Sequence, residues 1–155
     1  MDIQIRIAKE EDAPAIADLL RSLESFPQIR AKTPEAIGEQ VLCHLQLCQA
    51  DDSHSVYVAQ DLDKEIVGYC AVHWLPYLMF SGPEGYVSEL FLGESSRGLG
   101  IGGRFLEAVK AEARKRGCSR LMLLNLKHRE SYQRKFYKKQ GWEERQEAIN
   151  FILKI

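Results

Sequence analysis

The chain opens on a strict alternation of apolar and polar positions, IQIRI at residues 3–7, and then changes period. The alternation predicts a strand with one buried face. Over residues 11–23, Ile16, Leu19, Leu20 and Leu23 share one helical face, with Asp12 at the cap and Pro14 in the first turn, which predicts a helix. Thr33 followed by Pro34 has the form of an N-cap with proline at the first helical position, and opens a second helix running to about Cys48. The polar stretch ADDSHS ends it. SVYVAQ and EIVGYCAVHWL flank DLDK and predict a hairpin. PYLMFSGPEG reads as a loop, YVSELFL at 86–92 as a strand, and Ile101, Phe105, Val109 and Ala113 as the stripe of a further helix that Gly117 stops. RLMLLNL then predicts a buried strand, SYQRKFYKKQG a helix, and residues 141–144 and 150–154 short strands.

At 155 residues, 45% hydrophobic and 28% charged, the chain reads as one globular domain long enough to bury a core. No apolar run approaches the roughly 20 residues that span a bilayer, and the N-terminus reads as a first strand rather than a signal peptide. Cys43, Cys48, Cys70 and Cys118 show no CxxC spacing, and Cys43 and Cys48 lie five apart on one expected helix. They read as small apolar residues of a reducing, cytoplasmic compartment. His44, His54 and His128 have no partner spacing either, so the sequence suggests no metal. Charge is uneven: residues 97–139 hold thirteen Lys or Arg against three acids, a balance of +10 that leaves −11 elsewhere. A basic half favours an anionic ligand and an acidic half a cation.

The segment SSRGLGIGGRFLEAVKAEARKRG at 95–117 sharpens the anion expectation, because four glycines occupy six positions between a strand and a helix. First-turn amides of a helix lack intrahelical acceptors, the helix dipole is positive there, and glycine lets the backbone approach a phosphate closely. A Walker loop would end in GK[ST], whereas Arg104 and Phe105 follow Gly103. A dinucleotide fingerprint would sit in the first βαβ unit with an acid about 20 residues on, where Arg116, Cys118 and Arg120 stand instead.

RGLGIG at 97–102 resembles the [QR]xxGxG[AG] loop of the GNAT family of N-acetyltransferases. ELFL at 89–92 is similar to the strand preceding that loop, FYKKQGW at 136–142 resembles the family's FYxxxGF-like helix end, and EDAPAI resembles its usual entry helix. The resemblance implies a single N-acetyltransferase domain over residues 1–155: an α/β fold with a mixed, largely antiparallel central sheet and helices on both faces. It implies acetyl-coenzyme A as the donor cosubstrate, with backbone groups of Leu90 and Leu92 on the pantetheine arm. The amides of Arg97, Gly98, Leu99, Gly100, Ile101, Gly102 and Gly103 would take the pyrophosphate, and Tyr137 matches the general acid by position. Glu130 and Gln133 stand where many members have Asn and Ala, so the side-chain contacts of those positions are not carried over.

Aminolysis of a thioester needs an uncharged amine, a stabilised oxyanion and a proton for the leaving thiolate. Glu89, on the strand that delivers the thioester, is the candidate base; pairing with an arginine is its alternative. No cysteine follows a nucleophile pattern, which favours direct attack in a ternary complex. His73 alternates with Tyr69 and Ala71 and either lines the acceptor pocket or is structural. Trp74, Tyr77, Phe80 and Tyr86 form either an aromatic acceptor pocket or a core or dimer contact, leaving a homodimer open. The expected partner is a primary amine, of a small molecule or of a lysine or N-terminus, and cationic because Glu24, Glu35, Glu39, Asp51, Asp52, Glu84 and Glu89 fall on the acidic side. Neither nucleic acid nor membrane is expected. Transfer of another acyl group and a non-catalytic acyl-coenzyme A sensor remain alternatives.

Overall fold

The computed structural model describes residues 2–155. Strand β1 (Gln4–Ile7) leads through a 3-10 turn into helix α1 (Ala13–Ser22), followed by a short helix α2 (Pro27–Arg30) and the long α3 (Pro34–Ala50). Then come β2 (His54–Gln60), β3 (Ile66–Leu75) and β4 (Glu84–Leu92), helix α4 (Ile101–Lys115), β5 (Arg120–Leu123), and two single-turn helices, α5 (Glu130–Gln133) and α6 (Phe136–Lys139). The sheet runs β1-β2-β3-β4-β5. Its first three pairings are antiparallel; the fourth, β4 with β5, is parallel and uses α4 as the crossover that a parallel pair requires. The fold is thus mixed α/β with a mostly antiparallel sheet.

Local sequence explains where these elements start. Thr33 caps α3 as its position predicts, its hydroxyl accepting from the Ala36 amide at 3.2 Å, and Pro34 takes the first helical position. Asp12 behaves differently. Its own backbone is already helical (φ −81, ψ −11), so its carboxylate turns back to accept from the Lys9 amide at 2.7 Å and to hold Arg6 of β1 through both oxygens, at 2.7 and 2.8 Å.

Contacts divide the chain into two compact units, Met1–Leu123 and Leu124–Ile155. In the first, one face of the sheet packs Val56, Val58, Tyr69 and Ala71 against Ile16, Ala17 and Leu19 of α1 and Ile37, Val41 and Leu45 of α3. The alternate residues of β3 turn to the other face: Phe105 of α4 lies 3.4 Å from where a Cβ on Gly68 would stand, and Arg116 covers the Trp74 ring at 4.7 Å. Ile101, Phe105, Leu106, Val109 and Ala113 of α4 are buried there. Burying a side chain of the size of Phe105 contributes roughly 1.5–3 kcal/mol. Among the described residues, no helix is long and apolar enough to cross a membrane.

The second unit departs from the sequence expectation in three ways. The predicted strand over RLMLLNL ends at Leu123, and Leu124 and Leu126 are exposed. The single helix expected over 131–141 is broken, because Lys135 adopts a left-handed backbone (φ 56) between α5 and α6. The strands expected at 141–144 and 150–154 are coil, with Ile149, Phe151, Ile152, Leu153 and Ile155 exposed. Strand propensity yields a strand only where a neighbour pairs with it, and among the described residues none pairs with these.

Candidate active site

The first unit supplies an open strand edge. β4 and β5 pair from Glu84 with Arg120 to Val87 with Leu123, and there the parallel ladder stops, while β4 runs on to Leu92 bonded to β3 alone. The register with β3 shifts between Ala71 and Val72, so Ser88 is the additional residue of a bulge, and bulges bend the strand that carries them. Beyond the bulge the side facing away from β3 carries backbone groups that, among the described residues, pair with no strand. The amide of Gly93 donates to the Val67 carbonyl of β3's side at 2.9 Å. Backbone groups alternate along a strand, so those of Leu92 and Leu90 point the other way, to the open edge. These are the two positions assigned to the pantetheine arm.

The glycine loop follows directly. A 3-10 turn (Glu94–Ser96) uses the Arg97 amide, which donates to the Glu94 carbonyl at 3.2 Å. Gly98 (φ 80) and Gly100 (φ 77) are left-handed, a conformation glycine adopts without cost, and a Cβ at either would meet nothing within 4 Å. Their constraint is therefore backbone conformation rather than space. Gly100 is the N-cap of α4, and the first amide to find an intrahelical acceptor is that of Arg104, bonded to the Gly100 carbonyl at 3.2 Å. The amides of Ile101, Gly102 and Gly103 precede it and have no intrahelical acceptor, an arrangement at the positive end of a helix that suits an anion. Ile101 and Gly102 are buried, which seats this turn in the core, whereas Leu99 is exposed. The Arg104 guanidinium is bonded to the Ile3 carbonyl and so serves the fold.

Glu89 pairs across from Ala71 and lies half-buried on the α1/α3 face. Its carboxylate accepts a short hydrogen bond from the Tyr69 hydroxyl, and no arginine bridge forms there among the described residues. Tyr69 is buried at 3% exposure; burial, then the Glu89 charge, pushes its phenol far above the ordinary range, so it stays a proton donor. Its place two residues before Ala71 on an alternating strand marked its face, but nothing in the sequence marked its bond to Glu89. His73 lies on the same face, 6.5 Å from the Tyr86 ring, and burial together with His54 and His44 holds its imidazole below the ordinary value. The four aromatics do not form one pocket: Trp74 is a core residue on the opposite face, bonded to Ser55, and Phe80 lies 4.5 Å beneath Arg120. Arg120 in turn pairs with the fully buried Glu84, and Arg116 holds Asp52 at 2.6 Å, so two of the acids read as acceptor-facing are engaged in the fold.

In the second unit, Tyr137 is half-buried on α6, packed edge-on to Phe136 (4.9 Å between centroids) and to Trp142 (6.2 Å). The Trp142 amide returns to the Tyr137 carbonyl at 3.1 Å across Gly141, whose φ of 82 makes the turn. Gln133, one of the two departures from the resembled pattern, spends its side-chain amide on the Lys127 carbonyl at 2.7 Å; Glu130, the other, faces Arg134 at 3.6 Å.

Residues 16–142 match the family described as the acetyltransferase (GNAT) family. The chain belongs to the GNAT family. This GNAT chain is 25% identical over 154 residues to an uncharacterized N-acetyltransferase, YhfO, of Bacillus subtilis, covering 99% of this chain and 98% of that protein. It is 27% identical over 133 residues to thialysine N-epsilon-acetyltransferase of Bos taurus, covering 78% and 73% of the two. Its fold is similar to a solved structure described as a transcriptional regulator from Bacillus halodurans C-125, with a TM-score of 0.84, 23% identity and coverage of 98% and 100%. GNAT acetyltransferases generally use acetyl-coenzyme A and act on amines.

Proposed function

We propose that residues 1–155 form one N-acetyltransferase domain that moves an acetyl group from acetyl-coenzyme A to a cationic primary amine by direct attack. The observation that carries this reading is the continuity of the open β4 edge with the left-handed glycine loop and the free first-turn amides of α4. An extended amide-bearing chain ending in a pyrophosphate fits that sequence of donors: Leu90 and Leu92 backbone groups for the arm, and the amides of residues 98–103 for the phosphates. The Arg97 amide, already bonded to Glu94, stands outside that set. The family match spans both compact units, which supports treating them as one catalytic domain.

Chemically, the neutral amine attacks the thioester carbonyl carbon, forming the C–N bond and a tetrahedral oxyanion. Collapse breaks the C–S bond, and the thiolate takes a proton. Glu89, held by the Tyr69 hydroxyl, receives the proton that the amine nitrogen gives up, directly or through one water. Tyr137 donates to the leaving sulfur. A cationic acceptor is supported by the net −11 outside residues 97–139, with Glu24, Glu35 and Glu39 exposed, and by the lysine-like substrate in the name of the bovine relative.

The test is thiol release from acetyl-coenzyme A across an amine panel, with mass spectrometry of products. Polyamines, aminoglycoside-type amines or lysine-like side chains should be acetylated well ahead of glutamate. Efficient turnover of anionic amino acids alone would remove the acceptor assignment, and coenzyme A binding without thiol release for any amine would leave a sensor.

A further inference from the structure

Three donor side chains with no metal-binding spacing in the sequence converge at one end of the sheet. His44 and Cys48 are four residues apart on α3, which puts both on one helical face. His54 opens β2, just past the end of α3, and pairs in register with His73 of β3. One donor atom from each of His44, Cys48 and His54 lies within 4.8 Å of the other two, and the rings of His44 and His54 are 4.7 Å apart.

The deciding atom is Nε2 of His54. The side chain is 10% exposed, and Nε2 is buried with no hydrogen-bond partner. The opposite nitrogen fixes its state. Ser53 Oγ gives its single proton to Asp51, so toward His54 Nδ1, 2.8 Å away, it can only accept. In the neutral imidazole this puts the proton on Nδ1 and the lone pair on Nε2, which is buried with no partner. An oriented imidazole of this kind, steered by an outer hydroxyl and carboxylate, has the arrangement found behind metal-ligating histidines.

We propose that His44, Cys48 and His54 form a binding site for a zinc-class divalent ion, with His54 Nε2 as one ligand. Two imidazoles and one thiolate are a borderline-soft donor set, suited to Zn2+ rather than to Mg2+ or Ca2+. With Zn–N near 2.0–2.1 Å and Zn–S near 2.3 Å, the ligand atoms of a tetrahedral site with two imidazoles and one thiolate stand about 3.3–3.6 Å apart. From separations of up to 4.8 Å the donors need to draw in by at most about 1.2–1.5 Å, through side-chain rotations at the half-buried His44 and Cys48. Binding exchanges the Cys48 thiol proton for the metal, the proton leaving to solvent, and water completes the fourth position. His73, stacked on His54 at 5.3 Å and 14°, covers one side of that ring. The ion would tie the end of α3 to β2.

The test uses the 155-residue chain, stripped with chelator and titrated with Zn2+ by calorimetry and with Co2+ by absorption. One equivalent should bind, and Co2+ should give tetrahedral d–d bands with a thiolate charge-transfer band. Cys48→Ser should abolish the charge-transfer band. Cys48→Ser and His54→Ala should each weaken Zn2+ binding at least ~10²-fold, beyond the loss of an outer-shell partner. Cys43→Ser, at an exposed position, should change neither. Absence of the charge-transfer band from the unmutated chain overturns the site without reference to any variant, and so does one-equivalent binding that survives both ligand substitutions.

Discussion

Helix α4 and the segment from α5 to α6 invite comparison, because the proposed chemistry draws on both. α4 runs unbroken from Ile101 to Lys115 and buries five apolar side chains on the sheet, whereas α5 and α6 are four residues each and contain no fully buried residue. Helices that short are not stable by themselves. They are held by specific side-chain bonds: Ser131 to Asn125 at 3.0 Å, Gln133 to the Lys127 carbonyl, and Tyr132 and Lys138 to the two oxygens of Glu144 at 3.0 and 2.8 Å. Phosphate binding is thus assigned to backbone fixed by a core, and proton donation to one side chain on a lightly tethered turn. Substitution should separate the two.

The largest effect is expected at the cradle. A Cβ at position 100 meets nothing within 4 Å, so Gly100→Val should leave the fold intact, but a β-branched residue at φ 77 costs about 1–2 kcal/mol and should push the loop out of its conformation. Misplacing the amides by an ångström should lower coenzyme A affinity by ~10² or more, read by calorimetry. Gly100→Asn, which tolerates the left-handed region, should lose much less. Equal, unchanged affinities in both would detach the loop from the cofactor.

Tyr137→Phe should do the reverse, cutting turnover ~10²-fold while coenzyme A affinity moves only a few-fold. Parallel losses of rate and affinity would make Tyr137 a packing residue of the turn with Phe136 and Trp142.

The same contrast explains what the sequence disclosed. Strands β1 to β4, the hairpin, the Thr33-Pro34 start of α3 and the glycine loop were legible because period, cap and turn chemistry act over a few residues, and the core then rewards each locally correct choice. Over residues 131–141 the helical pattern was present, but it did not report the left-handed Lys135 that splits it. NFILKI has strand propensity with no strand beside it. The meeting of His44, Cys48 and His54 was hidden for another reason: it depends on how the polar turn at 51–53 sets the entry of β2 against the end of α3. Likewise the partners of Glu84, Asp52 and Glu89 lie 36, 64 and 20 residues away in the chain. Spacing rules do not reach across such separations.

A smaller effect tests the Tyr69–Glu89 bond within the first unit. Tyr69→Phe keeps the buried ring and removes only the hydroxyl that orients the carboxylate, so turnover should fall about tenfold with the KM for acetyl-coenzyme A unchanged. Glu89→Gln should lose more, and if the double variant loses no more than Glu89→Gln alone, Tyr69 acts through Glu89; additive losses would mean separate roles.

The smallest effect concerns stability and is confined to the first unit. The Arg6 hydrogen bond, aided by the Lys9 amide, holds the Asp12 carboxyl below its ordinary 3.8 in spite of burial, which acts the other way. A carboxyl depressed in the folded state contributes stability that is complete above the unfolded value and is lost as pH falls from 3.8 toward the folded one, since the unfolded chain binds the proton first. Asp12→Asn should therefore cost roughly 1.5–3 kcal/mol at neutral pH, the range for a hydrogen bond to a charged group. The gap to the parent should narrow as pH drops below 3.8, where the parent also loses the charge. The two tryptophans allow a unit-specific reading, since Trp74 lies in the first unit and Trp142 in the second. In a Trp142→Phe background, Trp74 fluorescence should follow denaturant unfolding with this pH dependence, and a constant gap between Asp12→Asn and its parent down to pH 2 would show that the Arg6–Asp12 pair is not its source.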